Sequence, residues 1–329
     1  MRLPYREAVE AICSAERIML AAHVNPDGDT LGCVLAITHA LRMLGKDVVP
    51  FSAHGVPDIY DWMPGTELLQ TASDQRDFDL AIICDAGALN RIGSAVQLVA
   101  ESAPVMINID HHLSDSPFGD VQIVDARAAA TAELVYHLLR SLQAACHKQL
   151  LTKDAAVCLM TGIITDTGSF RFLNVTPHTF ALAAHLQRLG ADPAPIAEQV
   201  FENRSYAALQ LLGLAITGMK VSADGQIAWA AISYDDFQRI GAVDADTEGI
   251  VSNIRSIKGV QLGMLFREVN PGSVRVSLRS REGCDVTSIA RVFGGGGHKL
   301  ASGCSLNDSL SQVVSAVVAE SVRQLGHQA

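Results

Sequence analysis

Aromatic residues make up only 5% of this 329-residue chain, too few for a long stacking platform for single-stranded nucleic acid. Basic residues are short as well, 25 against 35 acidic, for a formal net charge of −10. A protein that lives by non-specific attraction to duplex phosphates has the opposite balance, so long duplex partners are excluded. A small anionic ligand would instead need a few local arginines or bound metal. No two of the seven cysteines (13, 33, 84, 146, 158, 284, 304) form a C-x-x-C pair. That argues against a zinc frame or a disulfide scaffold and for buried, reduced thiols. Long apolar runs are missing too. The longest, Ala155 to Thr165, is bounded by Asp154 and Asp166 and is too short to cross a bilayer. Residues 1–7, Met-Arg-Leu-Pro-Tyr-Arg-Glu, lack a secretory apolar core. The expectation is a soluble, cytoplasmic protein with no membrane partner and no internal repeat.

What is present is enough for two ordinary domains, with 49% hydrophobic and 18% charged residues. Residues 5–16 read as an amphipathic helix, and 30–44 as another, stopped by Gly45. Short apolar runs at 18–22, 48–51, 80–84 and 105–109 read as buried strands. Helical stretches follow near 94–102, 130–146, 153–164 and 177–189. Strands that are apolar throughout, alternating with helices, predict an α/β fold with a doubly wound, mainly parallel sheet. A breaker cluster at 191–195 then changes the pattern. The predicted organisation is an N-terminal domain over 1–189, a helical linker over 190–217 and a smaller α/β domain over 218–329. Strands are expected there at 227–233, 260–269 and 274–280, with helices at 245–257 and 310–325.

In parallel sheets, ligands bind at the carboxyl ends of the strands, and here those ends carry one kind of residue. The first runs from His23 through Asn25, Asp27 and Asp29. The second is Cys84-Asp85-Ala86-Gly87, and the third is Asp110-His111-His112. A helix end adds Asp166 before Gly168. Each has a modest reading on its own: a turn at Asp27-Gly28-Asp29, helix caps at Asp85 and Asp166, a surface loop at the histidines. Together they bring five aspartates and three histidines to one sheet edge. Carboxylates that close raise one another's pKa unless a cation neutralises them. An oxygen-rich set with imidazoles and no thiolate suits manganese better than zinc, with magnesium or cobalt as substitutes.

Two features of the C-terminal half remain open on the residues alone. Gly294 to Gly297 is either a helix-terminating linker or a backbone cradle for an anion. Arg279, in Ser277-Leu278-Arg279-Ser280, is either a solvated charge or a planar fork for a terminal phosphate. Arg267, Arg281 and Arg291 read as surface or capping groups, and Trp62 and Trp229 as packing groups.

The strand-end set resembles the DHH phosphoesterases, named for a triplet such as Asp110-His111-His112. The stretch with Ser277 to Ser280 and Gly294 to Gly303 is similar to the DHH-associated C-terminal domain of the first subtype. The resemblance spans nearly the whole chain and is closest to the NrnA-type group of bifunctional oligoribonucleases and pAp phosphatases. RecJ exonucleases usually carry further nucleic-acid modules, and the pyrophosphatases of this superfamily have a different C-terminal domain. The resemblance implies two divalent cations. His23, Asp27 and Asp85 would hold one; Asp29, Asp85, His111 and Asp166 would hold the other, with Asp85 shared. Asp85, His111 and His112 would be the catalytic set, with His112 on the scissile phosphate and Asp110 orienting a neighbour. Arg279, Ser280, Gly295, Gly296, Gly297 and His298 would hold substrate, and a homodimer is the implied assembly.

The implied activity is manganese-dependent hydrolysis of very short single-stranded RNA, together with removal of the 3′-phosphate from adenosine 3′,5′-bisphosphate (pAp). Such a pair of domains would limit substrate to a few nucleotides. Cleavage of cyclic di-AMP or pApA is the neighbouring alternative. A RecJ-like exonuclease is opposed by the acidic balance and low aromatic content. A non-catalytic nucleotide sensor is opposed by the complete ligand set.

Overall fold

Apolar runs that are buried on both sides become strands of one parallel sheet when helices cover both of its faces. The computed structural model describes residues 3–112 and 116–326, and the chain divides into two units, Met1–Asn203 and Arg204–Ala329. In the first unit the order is α1 (Leu3–Ser14), β1 (Arg17–Ala21), α2 (Gly28–Met43), β2 (Asp47–Phe51), β3 (Leu80–Cys84), α3 (Ser94–Ala100), β4 (Met106–Asp110) and β5 (Val121–Val124). Four helices follow: α4 (Thr131–Cys146), α5 (Lys153–Asp166), α6 (Pro177–Arg188) and α7 (Pro193–Phe201). The five strands lie in the order β2-β1-β3-β4-β5 and every pairing is parallel. The doubly wound sheet is therefore as expected, with β5 as an edge strand that sequence reading passed over. Its burial alternates along only four residues, a pattern too short to stand out.

Alternate residues of each strand feed two cores. Ile18, Leu20, Ile82, Cys84, Ile107 and Ile109 pack with α1, α2, α4 and α5. Met19, Ala21, Ala81 and Ile83 face Val96, Val99 and Ala100 of α3. The chain leaves β1 towards β2 on one side, while β3 lies on the other. The carboxyl ends of β1 and β3 therefore flank the topological switch point, where open α/β sheets bind ligands. Helices α2 and α5 approach closely through glycine. A Cβ on Gly32 would stand 2.3 Å from the Cys158 carbonyl oxygen, and one on Gly162 would stand 2.5 Å from Asp29 Oδ1. That seam sets the start of α2 beside the end of α5.

The stretch 190–217 forms two helices in different cores. Ile196 and Val200 of α7 belong to the first unit; Leu211 and Ala215 of α8 (Tyr206–Thr217) belong to the second. The second unit continues with β6 (Lys220–Val221), β7 (Ile227–Ile232), α9 (Tyr234–Ile240), α10 (Ile250–Arg255), β8 (Leu262–Asn270) and β9 (Ser273–Ser280). It closes with α11 (Val286–Val292), β10 (Gly296–His298), β11 (Ala301–Asn307) and α12 (Leu310–Gly326). Its sheet order is β10-β11-β9-β8-β7-β6, antiparallel except for β7 and β8. The helix expected over 245–257 is shorter: a 3₁₀ turn at Asp244–Thr247 precedes α10, and Gly249 between them adopts φ +78°. A left-handed residue cannot continue a right-handed helix.

The cysteines are all free. Five are buried, but Cys13 is exposed on α1, with its sulfur 3.8 Å from that of half-buried Cys146 on α4. Among the described residues no helix is long and apolar enough to cross a membrane.

Candidate functional site

The strand ends of the first unit converge. His23, Asp27 and Asp85 bring one ligand atom each within 4.8 Å of one another, and so do Asp29, His111 and Asp166. Asp85, His111 and His112 form a third such group. Asp85 is common to two of them and lies 3.6 Å from both His23 Nε2 and His111 Nε2. Its backbone is left-handed at φ +59°, a conformation that costs a non-glycine residue free energy and marks positions where geometry serves chemistry.

Local structure explains how each group is aimed. Asp27 caps α2, and its Oδ1 accepts from the Asp29 and Thr30 backbone N–H groups at 3.0 and 3.1 Å. Its other oxygen faces His23 Nε2 at 3.7 Å. His23 Nδ1 lies 2.9 Å from its neighbour Val24's carbonyl oxygen, and His111 Nδ1 lies 3.3 Å from Ala128's. A carbonyl accepts only, so Nδ1 carries the proton and Nε2 is left as the donor atom in both rings. Asp110 belongs to none of the three groups. Its Oδ1 accepts from the backbone and the Nδ1 of His112 at 2.8 Å each, and its Oδ2 from the Gly87 N–H at 2.5 Å. It therefore fixes the ring of His112 and the loop after Asp85.

Three polar residues in this region carried no signal in the sequence. Thr131 Oγ1 donates to Asp85 Oδ1 at 2.8 Å and accepts from the His111 N–H at 3.2 Å. Thr30 Oγ1 donates to the Cys84 carbonyl at 2.9 Å and accepts from the His23 N–H at 3.3 Å, tying two strand ends together. Asn174 donates to the carbonyls of Ala129 and Asp166 at 2.8 and 3.0 Å. A threonine at a helix start reads as a cap, which hides the role of Thr131. Asp29 holds a further surprise. It is fully buried, and its oxygens accept the Thr131 and Ala132 N–H groups at 2.6 and 2.9 Å, so it also anchors the N-terminus of α4.

The electrostatics describe a cluster short of positive charge. Burial, then Asp166 and Asp85, push the Asp29 carboxyl well above its usual range. Burial together with Asp27 and Asp85 lifts Asp166 to about 6 despite His111. For the imidazoles, burial opposes the charged form but the carboxylates outweigh it. Asp27 and Asp85 raise His23 to about 10, Asp166 and Asp29 raise His111 to about 10, and Asp110 and Asp85 raise His112 to about 9. For Asp85 burial is likewise outweighed, by His112 and His23, and its carboxyl falls below the usual range. His111 Nε2 is buried and makes no hydrogen bond, though Asp166 Oδ2 stands 3.1 Å away. A buried nitrogen that faces carboxylate oxygens, with its other nitrogen held by a carbonyl, fits a divalent cation. The donor set of oxygens and imidazoles with no thiolate fits as well.

In the second unit the other predicted residues behave individually. Arg279 is half-buried; its Nη1 donates to its own neighbour's carbonyl, Leu278 O, at 3.0 Å. Burial, Arg255 and Arg267 all lower its pKa, so cationic groups crowd here and an anion would relieve them. Arg255 was unsuspected, and it is placed by α10 resting on β8 where a Cβ on Gly263 would meet the Arg255 backbone at 2.8 Å. Arg267 is no surface group: it pairs with Asp244 at 2.8 Å and reaches Ser277 Oγ. Ser280 is fully buried and its hydroxyl donates to the Cys284 carbonyl at 2.6 Å. The glycine run is a hairpin rather than an open loop, with Gly296, Gly297 and His298 paired to Gly303, Ser302 and Ala301. Gly295 and Gly297 lie against the β11 backbone, where a Cβ would come within 2.2 and 2.6 Å of carbonyl oxygens, whereas Gly296 borders open space. The side chain of His298 lies outside the described residues.

Comparison with known proteins places these features in context. Residues 17–163 match the DHH family, N-terminal domain, and residues 230–324 match the DHHA1 domain. The chain is 31% identical over 312 residues to the bifunctional oligoribonuclease and PAP phosphatase NrnA of Thermus thermophilus, covering 93% of this chain and 89% of that one. With the protein of the same name from Bacillus subtilis the identity is 29%, over 91% of this chain and 92% of the relative. The crystal structure of an exopolyphosphatase-related protein from Bacteroides fragilis superposes with a TM-score of 0.90 at 27% identity, covering 98% of this chain and 96% of that one.

Proposed function

This chain belongs to the DHH family and is a phosphoester hydrolase, and from that premise we propose that it degrades very short oligoribonucleotides and dephosphorylates pAp with two divalent cations, manganese expected. The observation that carries the reading is the convergence of the His23, Asp27, Asp85 group with the Asp29, His111, Asp166 group, in which the buried His111 Nε2 faces both Asp85 and Asp166. The relatives named as oligoribonucleases and PAP phosphatases support the substrate class.

In this reading His23, Asp27 and Asp85 hold one cation, and Asp29, Asp85, His111 and Asp166 the other. When bound, such a pair supplies a nucleophile near neutral pH and offsets charge on the phosphoryl oxygens. The protein's own share is positioning. Asp110 keeps the proton on His112 Nδ1, so His112 acts on substrate through Nε2. Asp110 and Asp85 raise its pKa to about 9 in the metal-free protein, and in its protonated form it would donate a hydrogen bond to a phosphoryl or leaving oxygen. Arg279, crowded by Arg255 and Arg267, takes a terminal phosphate.

The test is hydrolysis of a diribonucleotide, a series of longer oligomers and pAp, each with manganese. Turnover of the dinucleotide and pAp, collapsing as the oligomer lengthens, is the expected result. An inert protein with all of them, or sustained activity on long strands, refutes the proposal.

A further inference from the structure

The 3₁₀ turn Leu89–Ile92 follows the loop that carries Asp85. Arg91 in that turn is fixed at its backbone: its N–H donates to the Ala88 carbonyl at 3.0 Å, and its own carbonyl accepts the Val24 N–H at 2.6 Å. It is thus pinned to the segment that carries His23. Its side chain folds back along the loop, with Nη1 3.7 Å from where a Cβ on Gly87 would sit. Gly87 is the residue whose N–H holds Asp110. Arg91 as a whole is half-buried.

Arg91 nevertheless makes no ion pair and no side-chain hydrogen bond among the described residues. The two carboxylates tied to this loop are engaged otherwise. Asp85 faces His23, His111 and His112 and accepts from Thr131, and Asp110 is taken by His112 and Gly87. Arginines of neighbouring loops are committed: Arg127 grips both oxygens of Asp125, and Arg171 donates to the Gly168 carbonyl and lies over the Phe201 ring. A guanidinium is always charged and presents a rigid fork that matches phosphate oxygens. A fixed backbone under an unspent cation, on the loop that carries Asp85, is the arrangement an anionic substrate would complete.

We propose that Arg91 is a catalytic residue that binds two non-bridging oxygens of the phosphoryl group being hydrolysed. The assignment rests on the phosphoester reading above. In the step it assists, a water oxygen bonds to phosphorus and the bond from phosphorus to the leaving sugar oxygen breaks. The proton lost by water balances the one gained by that oxygen. Arg91 stays charged throughout and stabilises charge on the phosphoryl oxygens in the transition state.

The test compares wild type, Arg91→Ala and Arg91→Lys in the full chain, with manganese and either pAp or a diribonucleotide. Manganese affinity by calorimetry, AMP affinity of the manganese-loaded protein and the melting temperature are measured alongside. Removing one such donor is expected to lower kcat by about 10²–10³-fold and to weaken AMP binding. Manganese affinity and melting temperature stay at wild-type values. The lysine variant, which keeps the charge and loses the fork, falls between. A kcat for Arg91→Ala equal to wild type overturns the assignment, as does a loss that tracks falling manganese affinity or melting temperature. A wild type inert on both substrates overturns the phosphoester reading itself, whereas active wild type with equally active Arg91→Ala overturns only the role of Arg91.

Discussion

Replacing Gly32 by alanine tests whether the α2–α5 seam sets the site. The added Cβ would lie 2.3 Å from the Cys158 carbonyl oxygen and 3.2 Å from its carbon. These are backbone atoms inside α5, so no side-chain rotation relieves the clash. Restoring van der Waals contact requires the helices to part by about 1 Å. Overpacking of this kind costs about 1–3 kcal/mol, and the better helix propensity of alanine returns about 1 kcal/mol. The net loss of about 0–2 kcal/mol corresponds, in a unit of this size, to a fall of up to about 8 °C in melting temperature. The functional effect is larger. Asp29 lies in the first turn of α2 and Asp166 ends α5, so the seam governs their separation, and a misplacement of about 1 Å can cost about 10²-fold in rate. Thermal melts of the metal-free protein, manganese titration and kcat on pAp are the assays. Gly213→Ala is the control, since a Cβ there meets nothing within 4 Å and α8 gains helix propensity. If Gly32→Ala melts as high as wild type and binds manganese equally, the seam does not position the ligands.

Four further outcomes are expected. Thr131→Val removes the bonds to Asp85 Oδ1 and the His111 N–H and should reduce manganese affinity or activity by about 10–100-fold, read by calorimetry and initial rates, with an unchanged affinity counting against its orienting role. His23 and His111, at about 10 in the metal-free protein, hold protons at pH 8 that a cation must displace, so calorimetry in two buffers should show about two protons released on manganese binding. The same raised values stabilise the metal-free fold fully below the unfolded histidine pKa of about 6.5, and that contribution disappears as pH rises through about 10; a metal-free melting temperature that climbs over this window contradicts the assignment. Arg279→Ala should raise KM and blur length preference with manganese affinity intact, and an unchanged KM would remove Arg279 from the substrate site.

Much was legible in the sequence because it is locally encoded. A strand buried on both faces must be apolar throughout, and a polar residue directly after it stands at the sheet edge; hence β1, β2, β3 and β4, and with them His23, Asp85 and the Asp110-His111-His112 triplet, could be read without coordinates. What folding alone decided involves partners far apart in the chain. Asp29 meets the Thr131 N–H across 102 positions, and nothing in either segment announces the other. The run of four glycines was ambiguous because flexibility permits both loop and strand; pairing with β11 settled it as a hairpin. Ser280 sits beside Arg279, yet the period-two geometry of β9 buries one and leaves the other half-exposed. Residue type and local period dictate which groups lie at an edge, while packing of distant helices dictates which of them touch, because contact energy depends on ångström-scale distances that local pattern does not contain.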